Sequence, residues 1–178
     1  MKGKYIIDPD ITKAETLPSS FYKDSDIFNE VKSKIFLKSW QWVGDSDLLK
    51  YKNSVHPLTI LKDYLNEPII LTKDENEEIH CLTNVCTHRG NILVFKPGKS
   101  KKITCMYHGR RFNNIGEFEF MPEFSDAQDF PRLCDNLHKF PMVKWGKLLF
   151  AGLNPIFDFQ KVINKMNERI DFLPIDKF

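Results

Sequence analysis

The sequence predicts a mostly β domain of antiparallel sheets, flanked by a helix at each end. Three features point that way. From Val55 to Leu153, short apolar runs are separated by turn residues, as in an antiparallel β domain. Ahead of that region, between Ser25 and Trp40, apolar residues recur at helical spacing. Behind it, from Ile156 to Ile170, they do so again.

The elements follow in chain order. Residues 1–20 carry Pro9 and Pro18 and read as an extended N-terminal arm. Ile27, Phe28, Val31 and Ile35 then share one helical face, and Asp24 or Ser25 can cap it. The pattern predicts one amphipathic helix ending near Trp40–Gly44. Predicted strands are Val55–Leu61, Ile69–Thr72, Ile79–Thr83, Ile103–Cys105, Glu117–Phe120, Met142–Val143 and Lys147–Leu153. Asp74–Glu78, Lys96–Lys99 and Asn113–Gly116 read as turns between them. At the C-terminal end Asn154 suits an N-cap and Pro155 the first helical position. Ile156, Phe159, Ile163, Met166 and Ile170 form the apolar stripe, and Pro174 stops the helix.

Composition narrows the class. The chain has 178 residues, 42% of them hydrophobic and 13% aromatic, which suits one folded domain and not a disordered tail. No apolar run approaches the ~18 residues of a membrane span. Met1–Pro18 has no apolar block of the kind a secretory signal needs. A formal net charge of +2 is too mild to argue for nucleic acid. Four cysteines are sparse for this length, so a reducing, cytoplasmic setting is expected rather than a disulfide scaffold.

Two segments carry chemistry. One is Cys86-Thr87-His88-Arg89-Gly90, the other Cys105-Met106-Tyr107-His108-Gly109. Each offers one thiolate and one imidazole on a loop after a predicted strand, and each has a glycine that lets the backbone turn. Two such loops at neighbouring hairpin tips can pinch one site between them. Two Cys and two His could hold a single tetrahedral zinc. They could instead hold a [2Fe–2S] cluster with Cys on one iron and His on the other, the Rieske arrangement. A third reading is two coincidental Cys/His pairs in a core. Zinc sites seldom use the C-x-H spacing, so the joint pattern favours the cluster.

These residues resemble a known family. Asn84-Val85-Cys86-Thr87-His88-Arg89-Gly90 followed by Cys105-Met106-Tyr107-His108-Gly109 is similar to the Rieske domain of Rieske-type non-heme iron oxygenases. That group includes ring-hydroxylating oxygenase alpha subunits and relatives acting on choline and other quaternary amines. The likeness extends to Trp40–Gly44, to Pro68–Leu71 with Ile79–Asn84, to Met121–Glu123 and to Trp145–Phe150. It implies the Rieske fold, with two cluster-binding hairpin loops, over residues 21–155, and a [2Fe–2S] Rieske cluster as cofactor. Cys86 and Cys105 would bind one iron, and His88 and His108 the other. The resemblance implies an electron relay. Its donor would be a reductase or ferredoxin. Its acceptor would be the mononuclear iron of an oxygenase catalytic domain, in the same or a neighbouring subunit. Residues 156–178 would lead toward that domain. The alternative is a free-standing Rieske ferredoxin.

Two departures from the family pattern bear on this reading. Many members have Trp after the second His-Gly, where this chain has Arg110. Arg89 and Arg110 then either present the histidine edge to an acidic partner or are solvated loop charges. Rieske proteins of respiratory complexes carry an extra Cys in each loop, and here Thr87, Arg89, Asn91 and Met106 flank the ligands instead. That places the chain with the oxygenases and ferredoxins, and implies a potential near the bottom of the range of about −150 to +300 mV.

Other reactive residues read more plainly. Cys81 is expected as a buried small hydrophobe and Cys134 as a free thiol in a polar loop. His56, His80 and His138 stand singly and are expected at the surface or with satisfied partners. No Gly-rich dinucleotide fingerprint occurs, so nicotinamide or flavin would belong to another protein. Residues 139–178 contain no His, so the two-His-one-carboxylate iron site of the family is not expected within this chain.

Overall fold

The computed structural model describes residues 5–175; Met1–Lys4 of the expected arm and the last three residues lie outside them. The first helix, α1 (Ser25–Lys34), begins where the sequence places it. The Asp24 side chain accepts from the amides of Asp26 and Ile27, the bonds that define an N-cap. Its end differs from expectation. The helix stops at Lys34, a 3-10 turn follows at Phe36–Lys38, and Trp40–Asp45 is a strand, β1. The apolar residues there satisfy both periods, and pairing with a distant strand decides for the extended form. No residue of α1 is buried, and Phe28 and Phe36 both set their rings edge-on to Tyr64, at 4.8 and 5.1 Å.

Ten further strands complete three antiparallel sheets. They are β2 (Ser54–Ile60), β3 (Glu67–Lys73), β4 (Ile79–Thr83), β5 (Gly98–Lys99) and β6 (Lys102–Thr104). After them come β7 (Arg111–Asn113), β8 (Phe118–Phe120), β9 (Lys139–Phe140), β10 (Met142–Trp145) and β11 (Leu148–Gly152). The sheet orders are β1-β11-β10, β5-β2-β3-β4-β9 and β6-β7-β8. Seven of these strands match the expected segments to within two residues at most ends. Gly98–Lys99, expected inside a turn, instead pairs with Ser54 and Val55.

The five-stranded sheet lies between the other two, and its central strands are buried on both faces. Ile69 and Leu71 of β3 join one core with Val43, Leu149 and Ala151. Ile70, between them, joins the other core with Ile103 and Phe112. Cys81 and Leu82 of β4 divide the same way. Side-chain alternation along a strand produces this split, and burial of both faces explains the unbroken apolar run Pro68–Leu71. The second of these cores also contains Cys86 and Cys105, so the loops of interest are rooted in it.

The C-terminal helix α2 spans Phe159–Ile170 and is capped by Asp158, whose side chain accepts from the Gln160 amide. Asn154 and Pro155 do not start it. The Asn154 and Ile156 amides donate to the carbonyls of Leu37 and Lys38, and the Phe157 carbonyl accepts from the Trp40 indole. Those long-range bonds hold 154–157 outside the helix. No helix among the described residues is long and apolar enough to cross a membrane.

Candidate metal centre

The two Cys/His segments fold into loops of the same backbone design. Before Cys86, Val85 bridges to Ile92; before Cys105, Thr104 pairs with Arg111. The Cys86 amide donates to the Asn91 carbonyl at 2.8 Å, and the Cys105 amide to the Arg110 carbonyl at 2.7 Å. Each Cys carbonyl then accepts from the glycine four residues on, Gly90 at 3.0 Å and Gly109 at 2.9 Å. Both glycines sit in the left-handed region, at φ +70° and +75°, which a side chain would disfavour. The loops differ in where His falls: two residues after Cys86, three after Cys105.

This design brings the donors together in pairs, Cys86 beside Cys105 and His88 beside His108. Cys86 and Cys105 are 3% and 2% exposed, at the floor of the site. The His88 and His108 rings are 4.8 Å apart and half-buried. The Nδ1 of His108 is buried and has no hydrogen-bond partner among the described residues, as a ring nitrogen reserved for a metal would be. The Asn91 side-chain amide reaches the Cys105 sulfur at 3.8 Å, joining one loop to the other. Asn84 closes the base of the first loop, exchanging two bonds with the Val94 backbone at 2.8 Å each.

Burial and mutual proximity set the electrostatics of these side chains. Burial pushes the Cys86 thiol up, and the neighbouring Cys105 thiol adds to this against the opposing pull of the His88 amide and Arg110. Burial lowers the His88 imidazole, helped by His108, Arg89 and Arg110, which keeps it neutral and able to donate a lone pair. Two adjacent buried thiols ionise readily only with a positive centre between them.

Single-zinc coordination suits this arrangement less well. It would draw donor atoms to within about 4 Å of one another. No three donors of the Cys/His set lie within 4.8 Å of one another among the described residues. Two-iron coordination needs donors in two pairs, and the Cys pair and His pair supply them.

The family model that matches the chain is the Rieske [2Fe-2S] domain, over residues 39–132. The chain belongs to this family. As a Rieske domain it has a [2Fe–2S] cluster for its cofactor, and the donor set described above fits one. Relatives include chloroplastic choline monooxygenase of Beta vulgaris, 28% identical over 153 residues, covering 85% of this chain and 33% of that protein. The carnitine monooxygenase oxygenase subunit of Escherichia coli K12 is 28% identical over 144 residues, covering 80% of this chain and 37% of that one. The Rieske chain therefore spans little more than a third of these relatives' length. Among solved structures, the apo form of a quaternary ammonium Rieske monooxygenase superposes with a TM-score of 0.75 at 23% identity, over 87% of this chain and 46% of that one. Naphthalene 1,2-dioxygenase from Rhodococcus gives 0.73 at 21%, over 85% and 36%. At those identities the likeness is one of fold.

The other expected residues fall as follows. Cys81 is buried in the core away from the loops, and burial pushes its thiol up to about 12. Cys134 is an exposed free thiol. His80 is satisfied, 3.0 Å from Asp74. Arg89 is exposed, as a solvated loop charge would be. Arg110 is neither solvated nor turned toward a partner. It is 3% exposed, pairs with Asp135, and has the Phe118, Phe130 and Phe112 rings at 5.1, 5.6 and 5.8 Å. Its guanidinium points inward because a carboxylate 25 positions away meets it there, and no local signal in the sequence announces that. Asn84 and Asn91 stand out in the sequence only as neighbours of the ligands and Asp135 not at all, since their contacts with the loops depend on the folded hairpins.

Proposed function

We propose that Cys86 and Cys105 bind one iron of the Rieske cluster and His88 and His108 the other. We further propose that the chain relays single electrons to a mononuclear iron centre outside it. The observation that carries this is the pair of matching loops, with two adjacent buried thiols and two adjacent half-buried imidazoles. When bound, the cluster supplies a one-electron carrier whose potential is raised by neutral imidazole ligands.

The chain's own residues do the rest. The core holds the thiolates away from water. His108 keeps its Nδ1 buried and without a hydrogen-bond partner among the described residues, free to hold iron. Tyr107 lies against the His108 ring at a centroid distance of 3.8 Å and restrains it. Exposed Met106, Tyr107 and Arg89 border the histidines and offer a partner mixed apolar and cationic contact.

In this reading residues 21–155 are the Rieske domain, 1–20 an arm, and 156–178 a connection, containing α2, toward an oxygenase catalytic domain. The electron donor is a reductase or ferredoxin, and the setting is cytoplasmic. Support for an acceptor in a neighbouring subunit comes from a quaternary ammonium Rieske monooxygenase, whose structure is described as revealing inter-subunit electron transfer. Replacing His108 by Cys tests the assignment. Cluster should be retained at a lower potential, because a thiolate adds negative charge. An unchanged potential would remove His108 from the ligand set.

A further inference from the structure

A third segment, in neither loop, ties the two together. Asp135 ends a 3-10 turn at Leu133–Asp135. Its carbonyl accepts from the Thr87 hydroxyl in the first loop at 2.8 Å, and from Arg110 Nη2 beside the second loop at 3.4 Å. Its carboxylate takes the Arg110 guanidinium on Oδ1 and the Arg132 amide on Oδ2, the latter at 2.7 Å. Two residues on, Leu137 lies in the same core as Cys86 and Cys105 and donates its amide to the Gly116 carbonyl. The turn is thus anchored on both sides of the site.

The chemistry of this contact is unusual for simple packing. A buried ion pair costs more to desolvate than it commonly returns in stability, so apolar side chains of similar volume would fill the space at least as well. The Phe112, Phe118 and Phe130 rings around Arg110 would make such a replacement easy to accommodate. What apolar residues would lack is the carboxylate's directional grip on the second loop, from the same residue whose backbone carbonyl holds Thr87 of the first.

We propose that Asp135 is a positioning residue of the metal centre: by holding Arg110 and Thr87 together, it fixes the spacing between the loop that carries His88 and the loop that carries His108. The inference rests on the ligand assignment proposed above. Asp135 touches no ligand itself and acts through the residues beside them, as partners outside the ligand set of a metal site do.

Three variants of the 178-residue chain, each reconstituted anaerobically with iron and sulfide, test it. Asp135→Asn should lose its cluster to a chelator about 10- to 100-fold faster than wild type, with a shifted EPR spectrum of the reduced form. Thr87→Val removes one exposed hydroxyl without threatening the fold. It should accelerate loss about threefold, the scale of one hydrogen bond, with thermal unfolding of the apo-chain unchanged. Arg110→Met with Asp135→Leu should recover apo-chain thermal stability while keeping the fast release and shifted spectrum. If the double variant also recovers wild-type release and spectrum, the pair is packing alone and the proposal fails. It fails too if Asp135→Asn and Thr87→Val both match wild type, while the ligand assignment stands. A wild-type chain that forms no cluster overturns the assignment and the proposal together.

Discussion

The loop at Cys86–Gly90 and the loop at Cys105–Gly109 close on the same hydrogen bonds but sit in different surroundings. A Cβ at Gly90 would meet nothing within 4 Å, whereas one at Gly109 would come within 3.1 Å of the Pro122 ring. Arg89, beside the first histidine, is exposed; Arg110, beside the second, is buried against Asp135. The first loop is a finger held at its base by Asn84 and at Thr87 by one hydrogen bond to the Asp135 carbonyl. The second is enclosed on its outer side by Pro122 and the Asp135 turn. Backbone design and anchorage are thus separate matters: the Cys-to-Gly spacing sets the first, and distant segments set the second.

The shared half of the comparison predicts the largest effects. Cys86→Ser and Cys105→Ser should each abolish the cluster, read as iron and acid-labile sulfide content. A chain that keeps its cluster without one of these thiols would break the equivalence of the loops. The next effect divides them. Gly90→Ala should cost the apo-chain about 1–2 kcal/mol in urea unfolding, the strain of a left-handed residue with a side chain. Gly109→Ala should cost about 1 kcal/mol more, because Pro122 must also give way. Equal losses would show that the enclosure of the second loop carries no weight.

Two smaller effects serve as controls. Cys81 is as buried as the loop cysteines but faces the other core. Cys81→Ala should leave iron content unchanged and cost about 1 kcal/mol of stability, separating burial from ligation. With its thiol pushed up to about 12 by burial, Cys81 should also resist thiol reagents at neutral pH in the native apo-chain while exposed Cys134 reacts. The smallest effect is acid-linked and remote from both loops. Burial raises the Asp74 carboxyl, but hydrogen bonds from His80 and the Glu78 and Asn76 amides outweigh it and the net shift is downward. A carboxyl lowered on folding contributes stability above its unfolded value of about 3.9, and that contribution is lost as pH falls through the lower folded value. Asp74→Asn should therefore flatten the acid limb of the stability profile without altering the cluster.

The legible parts of this molecule were those encoded locally. The strands Ile79–Thr83 and Glu67–Lys73 showed as apolar runs between turns because both of their faces are buried. The four proposed ligands showed because a metal site concentrates reactive side chains at fixed spacing. The strands at Gly98–Lys99, Arg111–Asn113 and Lys139–Phe140 are two or three residues long and exist through their partners, so no periodicity could mark them. The same holds at both chain ends. Trp40–Asp45 becomes a strand because β11 pairs with it, and 154–157 stays out of α2 because Leu37, Lys38 and Trp40 bind it first. Arg110 was visible as a departure from the family pattern, but its burial was not, since Asp135 reaches it only in the folded chain.

The most direct measurement is the metal and sulfide content of the reconstituted wild-type chain, taken with its EPR spectrum after reduction. The proposed ligand set predicts a red-brown protein with about two irons and two acid-labile sulfides per chain, and a Rieske-type signal that Cys86→Ser and Cys105→Ser both lack. A colourless chain holding one stoichiometric zinc and no sulfide would contradict it.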